Sequence, residues 1–370
     1  MRMPLSISAN NIRNLLIILY LILFLVKFSF DDSVASLCSA AILVISIFSL
    51  ILYLKKERNR VKFKLISLLF VLSFIAAVNL LIGDNFDAKA LVQVIFSPFS
   101  ALLLLAVRIN MKILKAYMAF VFGYFMYFAI RGVSPGELFF ISHNYVSVYV
   151  ILVMSIYFIA CAQNLETPSI LYSLAAFVLC LWGIGRSGMI VGGWLFISSI
   201  IVAQRSLRQK VFILAVVACV TVALFVYLDL NSIFYGLERL DNMGFEDVRS
   251  TVNKSYAHEA LKGPKNILFG APLQNIPEVA ALDGNPHNSF IRLHVHYGLL
   301  GFLVVCGTIF FVSIWHLKKR NFILVAVVFA CLIRSSTDVA AFYGPLDIVI
   351  FYCLLIPFHH WLKITKLKFN

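Results

Sequence analysis

Polar residues are too sparse along most of this chain to set up the 3.6-residue rhythm of a surface helix or the alternation of a half-buried strand. The sequence runs instead in apolar blocks parted by short polar breaks. In hydrocarbon every backbone N–H and C=O must find its partner inside the protein, so a block of about 20 apolar residues predicts a membrane-spanning helix. Twelve blocks fit, at 14–30, 34–54, 65–82, 90–107, 113–130, 145–162, 168–184, 188–203, 211–228, 298–316, 322–340 and 346–360. They predict an all-α, polytopic integral membrane protein forming a single domain over 1–370. The seventh and eighth blocks are short and joined only by Gly185-Arg186-Ser187. A re-entrant hairpin there, with ten or eleven spans in all, is the alternative.

Composition excludes the soluble classes. Hydrophobic residues make up 62% of the chain and charged ones 13%, against about half and a quarter in soluble proteins. The formal net charge of +14 would suggest nucleic acid on a soluble chain. With the N-terminus cytoplasmic, however, 20 of the 31 Lys and Arg residues fall in cytoplasmic breaks. That is the positive-inside pattern, so topology accounts for the charge and no nucleic-acid partner is expected. Both termini are then cytoplasmic. The first block follows a basic stretch but leads through Asp31-Asp32 into a second span without a small-residue cleavage site, which predicts a retained anchor. Cys38, Cys161, Cys180, Cys219, Cys306, Cys331 and Cys353 lie in or beside apolar blocks, with neither a disulfide framework nor a CxxC pair.

One connection breaks the pattern of short loops. Residues 229–286 form a long non-cytoplasmic segment, and loops of this length tend to carry function. Within it, 246–262 reads as a helix with Val248, Val252, Ala260 and Leu261 on an apolar stripe and Arg249, Asn253 and Tyr256 on a second face. Gly263-Pro264 stops it, and 266–286 reads as irregular coil.

Ionisable residues at membrane depth are costly, so each asks for a reason. Arg186, Arg249, His287, Asn288, Arg292, His294, His296, Arg334 and Asp338 all fall in the outer half or the outer loop. Arg186 stands among Gly183, Gly185 and Gly188, which would let a ligand approach the backbone, and guanidinium suits bidentate phosphate binding. Its bland reading is an arginine reaching to lipid headgroups. For Arg249 the bland reading is a solvated surface charge. A helix starting near His287 would be about 30 residues long, some 45 Å, with His287, Ile291 and His294 on one face and Arg292 and His296 on the other. His287 is a candidate general base, while Asn288 alone would read as a helix cap. His294-x-His296 diverges too far on a helix for a metal pair, and no metal is expected. Arg334 and Asp338, spaced i, i+4, read first as a structural ion pair.

The ordered set of GRSG, a loop helix beginning with an arginine, Lys262-Gly263-Pro264 to Phe269-Gly270, and PHNSFIRLHVHYGLLG resembles the O-antigen polymerase and O-antigen ligase superfamily. Ser142-His143-Asn144-Tyr145 is a weaker match to a turn of that family. The resemblance covers roughly 140–315. The chain has Gly185 where the family commonly has Ser, and LFGAPLQ where it has Gly-x-Gly.

The resemblance implies a GT-C-like, metal-independent glycosyltransferase of the bacterial inner membrane, with no cofactor and its active site facing the periplasm. Arg186 and Arg249 would hold the donor diphosphate, and His287 would activate or position the acceptor hydroxyl. Asn288, Arg292, Tyr256, Asn144 and His294 would be the substrate-binding group. The substrate would be an undecaprenyl-diphosphate-linked oligosaccharide in the lipid bilayer, with a chain-length regulator and a flippase as pathway partners. The expected activity is polymerisation of O-antigen repeat units for lipopolysaccharide. Ligation to lipid A-core is the nearest alternative and a lipid-linked-oligosaccharide transporter a more distant one.

Overall fold

The computed structural model describes residues 9–56, 59–140, 142, 144–183, 185–203, 248–282 and 284–367. The expected span at 211–228, the first part of the long loop, Cys219 and His143 lie outside these residues. The described residues form helices and no strand: α1 Ala9–Ser29, α2 Asp32–Lys56, α3 Asn59–Ile82, α4 Ala88–Phe96, α5 Ala101–Ala106, α6 Met111–Ile130, α7 Pro135–Leu138, α8 Tyr145–Asn164, α9 Ile170–Trp182, α10 Arg186–Val202, α11 Val248–Ala260, α12 Pro264–Phe269, α13 Pro277–Ala280, α14 Ser289–Lys318, α15 Phe322–Thr337 and α16 Asp347–Leu367. Seven helical segments are long and apolar enough to cross a membrane, counting α4 and α5 as one. Shorter apolar helices are α9, α10, α15 and the Asp347–His359 part of α16. This set is compatible with a multi-pass membrane protein.

The bundle is organised around α8, whose residues from Val146 to Cys161 are all buried. A helix apolar on every side is stable only when surrounded, and α9, α10 and α15 pack against it. The outer helices leave Leu37, Phe74, Phe120 and Phe310 exposed, a surface that lipid solvates and water does not. The apolar stretch of α4 and α5 bends through a 3₁₀ turn at Ser97–Ser100, where Pro98 lacks the N–H that a continuous helix needs.

Two expectations are corrected. The residues read as coil after Gly263 contain α12, a 3₁₀ turn at Leu273–Asn275 and α13, the last starting on proline, whose fixed φ suits a first helical position. In α11 the buried positions are Val252, Tyr256 and Ala260, while Leu261 is 74% exposed. Tyr256 therefore belongs to the packed face, because i, i+4, i+8 defines one stripe and Leu261 falls beyond the helix end.

The predicted 30-residue helix is present as α14, but it is not continuous. Gly298 has φ 64° and ψ −176° inside it. The break interrupts the hydrogen-bond ladder, and the α3 side chain Asn79 donates to the carbonyls of Val295 at 2.9 Å and of Phe269 at 3.2 Å. One amide thus fastens α3, the first turns of α14 and the end of α12. A Cβ at Gly298 would lie 2.2 Å from Asn79 Oδ1, and one at Gly270 2.6 Å from the Cα of Val295. Both glycines are needed for close approach as well as for positive φ.

Candidate functional site

The starts of α8, α10 and α14 meet the end of α15 at one end of the bundle. Arg334, the last basic residue of α15, has no solvent exposure. Its guanidinium donates to Ser187 Oγ at the start of α10, to the carbonyl of Asn144 at 3.4 Å, and to Asp338 Oδ2 at 2.9 Å. The ion pair expected from i, i+4 spacing is present. It also clamps three helix ends.

The same carboxylate reaches a further residue. Asp338 Oδ1 accepts from the backbone N–H of Val339 at 2.7 Å and lies 3.8 Å from His287 Nδ1. That separation is an ion-pair distance, longer than a hydrogen bond, and Nδ1 has no hydrogen-bond partner. Ser289 supports the arrangement from below. Its Oγ donates to the carbonyl of Asp338 at 2.7 Å and accepts the N–H groups of Ala340 and Ala341 at 3.0 and 3.1 Å.

His287 occupies the left-handed region at φ 47°, a strained conformation for a residue with a Cβ. The neighbours over-determine it. Its N–H donates to Asn285 Oδ1 at 2.9 Å, and Asn288 caps α14 by accepting from the N–H of Phe290 at 2.8 Å. Asn288 Nδ2 also donates to Asn253 Oδ1 at 3.0 Å, which ties α11, and with it Arg249, to the start of α14. Arg249 lies within electrostatic reach of Arg334.

Helix starts carry positive partial charge from unpaired N–H groups and the peptide dipoles. The first turns of α8, α10 and α14 contain no acidic residue, and α10 opens with a cation, Arg186. Arg334 and His287 thus meet at the carboxylate of Asp338 beside the starts of α8, α10 and α14, with Arg249 within electrostatic reach of Arg334 and Arg186 opening α10. A cation in a first turn is electrostatically unfavourable, and an anion bound there would reverse that cost.

Three readings of individual residues change. Gly185 and Gly188 are required by α8: added Cβ atoms would lie 2.7 Å from Asn144 Oδ1 and 2.4 Å from Ser147 Cβ. These glycines seat α10 on α8, so they give no separate argument for a ligand at Arg186. Tyr256 and His294 pair with each other, hydroxyl to Nδ1 at 2.7 Å, and His294 Nε2 meets the carbonyl of Ile267 at 2.8 Å. Both ring nitrogens are engaged within the protein, and burial pushes the Tyr256 phenol up. The third is Asp338, whose link to His287 was hidden by its ready explanation as the partner of Arg334. The signal for it was its polarity at a helix end, beside the equally costly Arg334.

Arg292 stacks on Tyr343, guanidinium carbon to ring centroid 4.2 Å, and its carbonyl accepts from His296 Nδ1 at 2.8 Å. Among the described residues no three His, Cys, Asp or Glu side chains group as metal ligands. No protein-family model matches the chain, and no curated protein matches it in sequence.

Proposed function

We propose that the protein is a glycosyltransferase acting on polyprenyl-diphosphate-linked glycans, and specifically a polymerase of the O-antigen type working at the outer face of a bacterial inner membrane. The observation that carries this reading is the Arg334–Asp338–His287 cluster at the starts of α8, α10 and α14, with Arg186 opening α10 and Arg249 within electrostatic reach of Arg334. A diphosphate leaving group needs positive charge on its departing oxygens, and the attacking hydroxyl needs a base. In this scheme Arg186 and Arg249 take the donor diphosphate. Asp338 orients His287 through Nδ1, leaving Nε2 to accept the proton of the acceptor hydroxyl. That hydroxyl oxygen bonds to the anomeric carbon as the bond from that carbon to the diphosphate breaks, and the polyprenyl diphosphate departs with the electron pair.

The test is purified protein in liposomes with one lipid-diphosphate-linked repeat unit from the producing cell and no other acceptor. A ladder of repeat-unit multiples is the expected product. Transfer only after lipid A-core is added would make the protein a ligase. Silence in both arms, with movement of the lipid-linked glycan between leaflets, would overturn the transferase reading in favour of transport.

A further inference from the structure

Beside the first turns of α14, a cleft of about 230 Å³ opens between the α3–α4 connection, the loop around Leu273 and Gly284, and Tyr343. Its walls are fastened. The Asn85 amide donates to the carbonyls of Gly270 at 3.4 Å and Ala271 at 3.2 Å, and its oxygen accepts from the N–H of Leu273 at 3.1 Å. Lys265 bridges from α12 to Asp84 at 2.6 Å. On the far wall, Phe342 and Tyr343 both have positive φ, 59° and 68°. Two consecutive residues with side chains in that region are strained, and the buried carboxylate of Asp347 offsets it by accepting the N–H groups of Phe342, Tyr343 and Gly344 at 2.6, 2.7 and 3.1 Å. The Tyr343 ring is thereby held in contact with both the Arg292 guanidinium and the edge-on ring of His296, 5.0 Å away.

Two features of this cleft point to a ligand. Arg292 covers the Tyr343 ring, yet among the described residues none of its guanidinium N–H groups has a hydrogen-bond acceptor or a carboxylate partner. Phe86, flanked in sequence by Asn85 and Asp87, lines the cleft with 57% of its surface exposed. Hydroxyls both donate and accept, so a polyhydroxylated ring is matched by carboxylate oxygens and guanidinium N–H groups on one lining. The C–H face of a pyranose is apolar and is matched by an exposed aromatic ring.

We propose that this cleft is a sugar subsite that receives one ring of the acceptor glycan, with Phe86 as the platform under its C–H face and Arg292 as a donor to its hydroxyls. The proposal rests on the transferase reading and names where the second substrate sits. Pro286 lines the cleft and directly precedes His287, so the cleft borders the chain segment that carries the residue assigned as base.

The test uses full-length protein in nanodiscs and, as probe, the free oligosaccharide repeat unit released by mild acid from the producing cell's lipid-linked pool. Saturation-transfer NMR should show the sugar protons contacting wild-type protein. Phe86→Ala and Arg292→Gln should each weaken binding about tenfold, the scale of losing one good aromatic or charged contact. Arg186→Gln, at the donor end, should bind the probe as wild type does. Phe86 is exposed, so its removal is compatible with folding. Wild-type binding in both Phe86→Ala and Arg292→Gln, or no binding by the wild type, would overturn the subsite. In the liposome assay the same two variants should raise the acceptor KM with donor KM unchanged. Saccharide binding that depends on Phe86 without any transfer product would keep the subsite and remove the transferase. Transfer with an unaltered acceptor KM would do the reverse.

Discussion

Asp338 directs its two carboxylate oxygens at two different residues: Oδ2 takes the Arg334 guanidinium at 2.9 Å, and Oδ1 faces His287 Nδ1 at 3.8 Å. The arginine and the Val339 N–H fix the carboxylate, which then presents its negative charge to the imidazole. Asp338→Asn keeps the shape and a hydrogen bond to Arg334 but removes the charge that favours an Nδ1–H imidazole. The expected outcome is a fall in single-turnover transfer rate of about 10²-fold or more, with donor binding unchanged. A wild-type rate in this variant would restrict Asp338 to a structural role.

Arg334 serves folding first. Its guanidinium joins the ends of α8, α10 and α15 with no solvent exposure, so Arg334→Met leaves Asp338 buried without its partner. Breaking one half of such a pair costs about 3–5 kcal/mol, which thermal unfolding in detergent should register. Arg334→Met combined with Asp338→Leu should unfold at a higher temperature than Arg334→Met alone, because no unpaired carboxylate remains, and should still fail to transfer glycan. Equal unfolding temperatures would argue against the ion pair as the source of the cost.

Glycines of α14 should differ sharply. Gly298→Ala forces a Cβ onto Asn79 and a methyl into positive φ, so a loss of about 1–3 kcal/mol is expected. Gly307, with nothing within 4 Å of an added Cβ, should accept alanine with no loss, or with a gain of up to about 1 kcal/mol. Comparing the two melting temperatures checks the break directly.

Arg249→Lys should abolish transfer while expression and melting temperature stay near wild type. An ammonium ion cannot reproduce the two-pronged contact of guanidinium with phosphate oxygens. Measured by the liposome ladder, full activity in this variant would remove Arg249 from the donor site.

The helices at the described apolar blocks were legible because burial in hydrocarbon demands long unbroken apolar runs. So was the start of α14, where Asn288 carries the cap and His287 precedes it. What escaped the sequence was anything decided by a neighbour from elsewhere in the chain. Gly298 looked like an ordinary helical glycine because Asn79, which fills the gap, is more than two hundred residues away. Gly185 and Gly188 looked like room for a ligand because Ser147 and Asn144 were not yet opposite them. Tyr256 was assigned to the polar face of α11 because periodicity records that a tyrosine is amphipathic and not that His294 awaits its hydroxyl. Asp338 was understood from its i, i+4 partner, and that local explanation concealed the contact with His287.

The Gly298 break divides α14 into two bodies with different loyalties. Below it, the helix is part of the apolar bundle. Above it, the turns from Ser289 to Tyr297 are bonded to α12 and packed on α11, while Ser289 is also bonded to Asp338, Ala340 and Ala341 at the end of α15. The start of α14 is therefore held from two sides, by the loop helices and by the end of α15, with Asn79 bridging at the break. The position of His287 is thus set by the loop and the end of α15 together, through a helix whose lower part belongs to the bundle.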